Sequence, residues 1–209
     1  MHRVFMVEDN KPTRRNFRKA LLSKMPDAEF VEASSIPKAE AIIQDYAARG
    51  LSFDAVILDC NLPSAESTLA MDVTLCPLVS QTFREALVVH CSVFGDSEEL
   101  QRHIHAEHRR ANPRACVIPK NEGWDQDLIK ALAADRVERR LADFFTGGGG
   151  PPAGQFGRGG ATRRLAELVA DIEQFWPLLP SQLQERVKSD FDVVPSGKSV
   201  LVTPGGSRG

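Results

Sequence analysis

Several polar residues stand where apolar runs end. Glu8 and Asp9 follow Val4-Phe5-Met6-Val7, Asp59 closes Ala55-Val56-Ile57-Leu58, Ser92 follows Leu87-Val88-Val89-His90-Cys91, and Lys120 follows Cys116-Val117-Ile118-Pro119. If these run ends share one edge of a sheet, three carboxylates, a hydroxyl and an ammonium converge. Like charges crowded into a partly desolvated hollow repel, and a hard divalent cation held by oxygen is the usual remedy. Mg2+ takes one or two carboxylates and keeps positions open for waters or phosphate oxygens. The set therefore fits phosphoryl chemistry: Asp59 as nucleophile, Lys120 pairing with one phosphoryl oxygen, and Ser92 hydrogen-bonding another.

The elements that must position these groups can be read along the chain. The continuous apolar run before Asp59 is that of a strand buried on both faces, as in parallel sheets between helix layers, and the Asn61-Leu62-Pro63 that follows turns the chain sharply. Asn10 can cap a helix carrying Phe17, Ala20, Leu21 and Leu22, with Pro12 tolerated in its first turn. Glu29–Ala33 is a second strand, and a second helix runs from Ser34-Ser35 through Ala39, Ile42, Ile43 and Tyr46 to a stop at Gly50. A third helix is expected from about Glu66, broken or kinked at Pro77, and a polar fourth from a capping box at Asp96-Ser97-Glu98-Glu99 to about Ala111. A last helix starts near Asp125 and carries Leu128, Ile129, Leu132, Val137, Leu141 and Phe144.

Strands alternating with helices imply an α/β fold, a doubly wound parallel sheet covered on both faces. For a crevice to open between the first and third strands, the order must be flavodoxin-like, 2-1-3-4-5. This domain is expected over residues 1–146. A Gly/Pro-rich linker follows over 147–160, then a helical hairpin extension over 161–191 with a capping box at Ser181 and Gln184, then a disordered tail over 192–209. The extension is too small to hold a core alone. It is read as a docking element, a dimerisation element giving a homodimer, or a partner-recruiting motif.

With 209 residues the chain has room for one ordinary domain and an appendage. A net charge of -2 offers no excess of Lys and Arg, so a nucleic-acid partner is not expected. No apolar run reaches the roughly 20 residues of a membrane span, and no signal peptide is read, so a cytoplasmic location is expected. Cys60, Cys76, Cys91 and Cys116 lack metal-ligand spacing and are expected to be reduced and packed. His103, His105 and His108 do not share a helical face, and Gly197-Lys198-Ser199 lacks the earlier glycine and the strand-to-helix context of a phosphate loop.

From Met1 to about Gly147 the chain resembles the receiver domain of two-component response regulators. The residues that carry the likeness are Val-Glu-Asp-Asn at 7–10, Ile-Leu-Asp-Cys-Asn-Leu-Pro at 57–63, Ser92 after Val-Val-His-Cys, and Lys120 after Val-Ile-Pro. The resemblance implies a Mg2+-dependent phosphoacceptor rather than a turnover enzyme. Asp59 would be phosphorylated by a sensor histidine kinase or a histidine phosphotransfer protein, with the metal held by Glu8 or Asp9, Asp59 and the backbone carbonyl of Asn61. Signalling would then pass to a downstream protein target in a two-component system or phosphorelay. The alternative is a pseudo-receiver, an interaction module indifferent to phosphate. The chain departs from the pattern at Val93, where a small residue is usual, at Val117, where an aromatic switch residue is usual, and at Asn121, where proline is common.

Overall fold

A computed structural model describes residues 2–60, 75–93, 98, 102, 112, 114–146, 158–196 and 199–204. The chain divides into two compact units, Met1–Ile129 and Lys130–Gly209. The division falls inside a helix rather than at the Gly-rich stretch where the sequence suggests a boundary.

The first unit contains strands β1 (Arg3–Val7), β2 (Glu29–Ala33), β3 (Ala55–Asp59), β4 (Leu87–Ser92) and β5 (Cys116–Pro119). They form a parallel sheet in the order β2-β1-β3-β4-β5. This is the doubly wound order expected from the sequence. Every residue of β3 and β4 is buried, whereas β2 and β5 at the sheet edges are mostly half-buried. Helix α1 (Lys11–Lys24) starts on Asn10, whose side-chain oxygen accepts from the Thr13 amide at 3.0 Å. Helix α2 (Ile36–Ala48) ends where Gly50 takes φ 64°, a conformation that disfavours a side chain.

Alternation along the strands sorts the core. Phe5, Val7, Val56, Leu58 and Val88 pack with Ala39 and Ile43 of α2 and with Leu75, Cys76 and Val79 of α3 (Leu75–Thr82). Phe53 stacks between Phe5 and Tyr46 at ring separations of 5.0 and 4.3 Å. The alternate residues Val4, Met6, Ile57 and Val89 are equally buried on the other face, as are Phe17 and Leu21 of α1 and Leu128 and Ile129 of α4 (Trp124–Thr146). Each buried aliphatic or aromatic side chain contributes about 1.5–3 kcal/mol of burial, so a strand sealed on both faces is a stiff support for whatever stands at its end.

Pro77 lies within α3 rather than breaking it. The expected start of that helix near Glu66, and nearly all of the fourth expected helix with its histidines, lie outside the described residues.

The second unit contains the C-terminal part of α4, then α5 (Arg158–Phe175), a 3₁₀ turn (Trp176–Leu178), α6 (Ser181–Asp190) and strands β6 (Phe191–Ser196) and β7 (Ser199–Pro204). Helix α5 begins inside the stretch expected to be linker, and residues 147–157 lie outside the described residues. The larger correction concerns the expected disordered tail. Residues Phe191–Ser196 and Ser199–Pro204 pair as antiparallel strands, with Phe191 opposite Pro204 and Ser196 opposite Ser199. Phe191, Val200 and Val202 are buried, and the Val202 amide donates to Glu173 of α5 at 3.0 Å. Apolar residues on the inward positions of a two-stranded ribbon gain enough from a helical backing to order it. The expected capping box also differs: Pro180 is the cap of α6, Ser181 is already helical, and the Gln184 side chain donates to the carbonyl of Trp176 at 2.8 Å.

Candidate functional site

Strand register decides what meets at the sheet edge. Val7 lies opposite Leu58, Asp59 opposite Cys91, and Ser92 opposite Pro119, so in parallel strands Glu8, Asp59, Ser92 and Lys120 all emerge together. Two backbone bonds sew this edge: the Cys60 amide donates to the Cys91 carbonyl at 3.2 Å, and the Lys120 amide to the Ser92 carbonyl at 2.8 Å.

The Lys120 ammonium lies 2.7 Å from Oε2 of Glu8 and 2.8 Å from Oδ2 of Asp59. Residues 112 positions apart in sequence thereby share one short bridge. Glu8 and Asp59 are buried at 2% and 4% exposure, and Ser92 is fully buried, while Asp9 is exposed. Carboxylate oxygens of Glu8, Asp9 and Asp59 lie within 4.8 Å of one another. Glu8 is further held by the Asn10 amide, which donates to its Oε1 at 3.1 Å. The residues that the sequence marks thus come together at one edge, except Asn61, which lies outside the described residues.

Electrostatics follow from this geometry. Burial pushes the carboxyl of Glu8 above its ordinary range. The Asp59 charge adds to that push, while Lys120 and the Asn10 amide act against it. For Lys120 burial favours the neutral amine, but hydrogen bonds and charges from Asp59 and Glu8 outweigh it and hold the ammonium above the usual lysine value. Behind the edge, Cys60 is pushed up to about 12, mainly by burial, with the neighbouring Asp59 charge adding to it. Its thiol is therefore a packed group rather than a nucleophile. It lies 3.8 Å from Nδ1 of the buried His90, whose Nε2 is 3.2 Å from Sγ of Cys76. All four cysteines are free.

An all-carboxylate donor set of this spacing suits a hard divalent cation and not a thiophilic one. Glu8, Asp9 and Asp59 are the carboxylates that such an ion would meet, and Lys120 already bridges two of them. Sequence reasoning missed Arg14, whose Nη1 donates to the backbone carbonyls of Glu8 and of Asp9, the latter at 2.9 Å. Its position one turn after the Asn10 cap is the signal that could have found it, since a side chain there lies over the loop preceding the helix.

No family model matches the chain. No curated protein matches it. Among solved structures it is similar to a response regulator receiver domain protein from Clostridium thermocellum, at 19% identity over 68% of this chain and 99% of that chain, with a TM-score of 0.48. It is also similar to the isolated REC domain of RcsB from Salmonella enterica serovar Typhimurium in the presence of phosphomimetic BeF3-, at 18% identity over 65% of this chain and 88% of the other, TM-score 0.48. A structure of the P1 domain of CheA3 in complex with CheY6 from R. sphaeroides matches at 17% identity over 58% and 84% of the two chains, TM-score 0.35.

Proposed function

We propose that the chain is a response regulator receiver that accepts a phosphoryl group on Asp59 and signals through protein contacts. The observation that carries this reading is the Lys120 ammonium held between Asp59 and Glu8, with the Asp9 carboxylate beside them. Such a set is more than a turn-forming aspartate requires. It joins a nucleophile, a cation for the incoming oxygens and an acidic seat for Mg2+ at the open end of a rigid strand.

The transfer is an in-line displacement. An Asp59 oxygen attacks phosphorus of a phosphohistidine on a sensor kinase or phosphotransfer protein, the new O–P bond forms as the P–N bond breaks, and the departing imidazole keeps the electron pair and takes up a proton. Glu8, Asp9 and Asp59 would hold a Mg2+ ion, and its charge would offset the repulsion between the carboxylate and the incoming phosphoryl group. Lys120 can exchange its bond to Asp59 for one to a phosphoryl oxygen without leaving Glu8. The Ser92 hydroxyl is the second donor in this reading. The downstream target reads the changed surface.

Incubation with acetyl phosphate and Mg2+, followed by intact mass, tests the reading. One added phosphoryl group is expected on the wild type and none on Asp59→Asn. A wild type that stays unmodified while taking up Mg2+ would point to the pseudo-receiver, which keeps the fold without the chemistry.

A further inference from the structure

Asp9 is exposed and sits in the short connection between β1, which ends at Val7, and α1, which starts at Lys11. Its neighbour Glu8 is fixed several times over: its amide donates to the Ala33 carbonyl at 3.1 Å, and its carboxylate receives Asn10 and Lys120. The Asp9 side chain lacks this burial and stands in solvent, yet its oxygens lie with those of Glu8 and Asp59. What aims it must act through the backbone.

Arg14 is placed to do so. One nitrogen of its guanidinium donates to the carbonyl of Glu8 and to that of Asp9. These two carbonyls belong to the peptide planes on either side of the Asp9 α-carbon. Holding both planes restrains both backbone dihedrals of Asp9, and with them the direction of its Cα–Cβ bond, so that only staggered side-chain rotations are left to place the carboxylate. Arg14 is itself secured, since its amide donates to the Asn10 carbonyl at 3.1 Å in the first turn of α1. Its side chain is only 11% exposed, with Nε 3.9 Å from Oε2 of Glu32 on β2.

We infer that Arg14 is a positioning residue for the candidate cation site, bracing the Glu8-Asp9-Asn10 backbone so that the Asp9 carboxylate is preorganised toward Asp59. This rests on the reading of the acidic edge as a Mg2+ seat and goes beyond it by assigning a group that contacts neither the ion nor the phosphoryl. Outer groups that orient metal ligands typically account for about 10–100-fold in affinity. Lysine is a point donor on a flexible stem and cannot reproduce a planar, pre-organised guanidinium.

The test titrates Mg2+ into the full chain by calorimetry, for the wild type, Arg14→Gln, Arg14→Lys and Glu32→Gln, and records amide order parameters for Asp9 and Asn10 in the ion-free proteins. Expected is about tenfold weaker Mg2+ binding for Arg14→Gln, an intermediate loss for Arg14→Lys, and wild-type affinity for Glu32→Gln. Lowered order at Asp9 and Asn10 should appear before any ion is added. A wild type that binds Mg2+ while both Arg14 variants bind within about twofold of it overturns the inference alone. Glu32→Gln matching Arg14→Gln overturns it too, by making the ion pair with β2 the operative contact. A wild type that takes up no Mg2+ removes the site reading, and this inference falls with it.

Discussion

The two units each bury a cluster of charges, and the clusters are built on opposite principles. In the second unit Arg136 grips Asp171 through two parallel bonds of 2.9 and 2.8 Å, Arg140 reaches Glu167 at 2.7 Å, and the Arg136 guanidinium lies 5.4 Å from the Phe175 ring centre. Arg163 adds a bond to Glu167 at 2.9 Å, so each carboxylate of the cluster is met by at least one guanidinium. At the sheet edge of the first unit the buried Glu8 and Asp59 and the exposed Asp9 meet the ammonium of Lys120, with the Arg14 guanidinium on the backbone beside Asp9, so three acids face two cations. A matched pair with bidentate geometry holds helices together and asks for nothing else. An excess of acids leaves repulsion that an added cation would relieve. Burial of charge alone thus does not mark a functional site, since a matched set is accounted for by packing.

The contrast can be broken by removing single partners. Asp171→Ala should be the most damaging change, costing about 3–5 kcal/mol because a buried guanidinium is stranded, read as a lowered urea midpoint for the far-UV signal. Replacing both partners, Arg136→Met with Asp171→Leu, should cost less than Asp171→Ala alone. If the single change proves neutral, the matched cluster does not clamp these helices.

Mg2+ at about ten times its dissociation constant should stabilise the wild type by about 1.4 kcal/mol, seen as a higher unfolding midpoint. Asp9→Asn should lose that gain and, in ion-free buffer, should be no less stable than the wild type. Equal Mg2+ responses in both proteins would show that charge imbalance at this edge has no bearing on cation uptake.

The smallest expected effect is on pH. The folded protein holds the Lys120 proton more tightly than an unfolded chain, whose lysine titrates near 10.5. Its stabilising contribution is therefore complete below that value and is lost as pH climbs through the higher folded-state value. Denaturation midpoints should fall above pH 10.5 more steeply for the wild type than for Lys120→Met, and identical slopes would contradict the bridge.

The first unit was legible in the sequence because its signals are local. Apolar runs such as Val4–Val7 and Ala55–Leu58 end on charged residues, and helical periods lie between them, so strand order and the converging ends followed from topology rules. The pairing of residues 191–196 with 199–204 was missed although Val193-Val194-Pro195-Ser196 and Ser199-Val200-Leu201-Val202 flank Gly197-Lys198, a two-residue turn signal. What orders the ribbon is a helix that lies elsewhere in the chain, with Glu173 of α5 accepting from the Val202 amide. Arg136 and Asp171 are 35 residues apart, and nothing in their spacing announces the pair. Arg14 was hidden for a different reason: it acts on carbonyls, which every residue has.

One consequence of the Lys120 arrangement concerns mechanical economy. Its amide is fastened to the Ser92 carbonyl while its ammonium reaches two acids on other strands. The main chain could therefore stay still while four methylenes swung the charge between neighbours, so that any ligand arriving at the acidic edge would first reorient one stem. Only what exceeded the travel of that stem would be left to pull on β4 and β5.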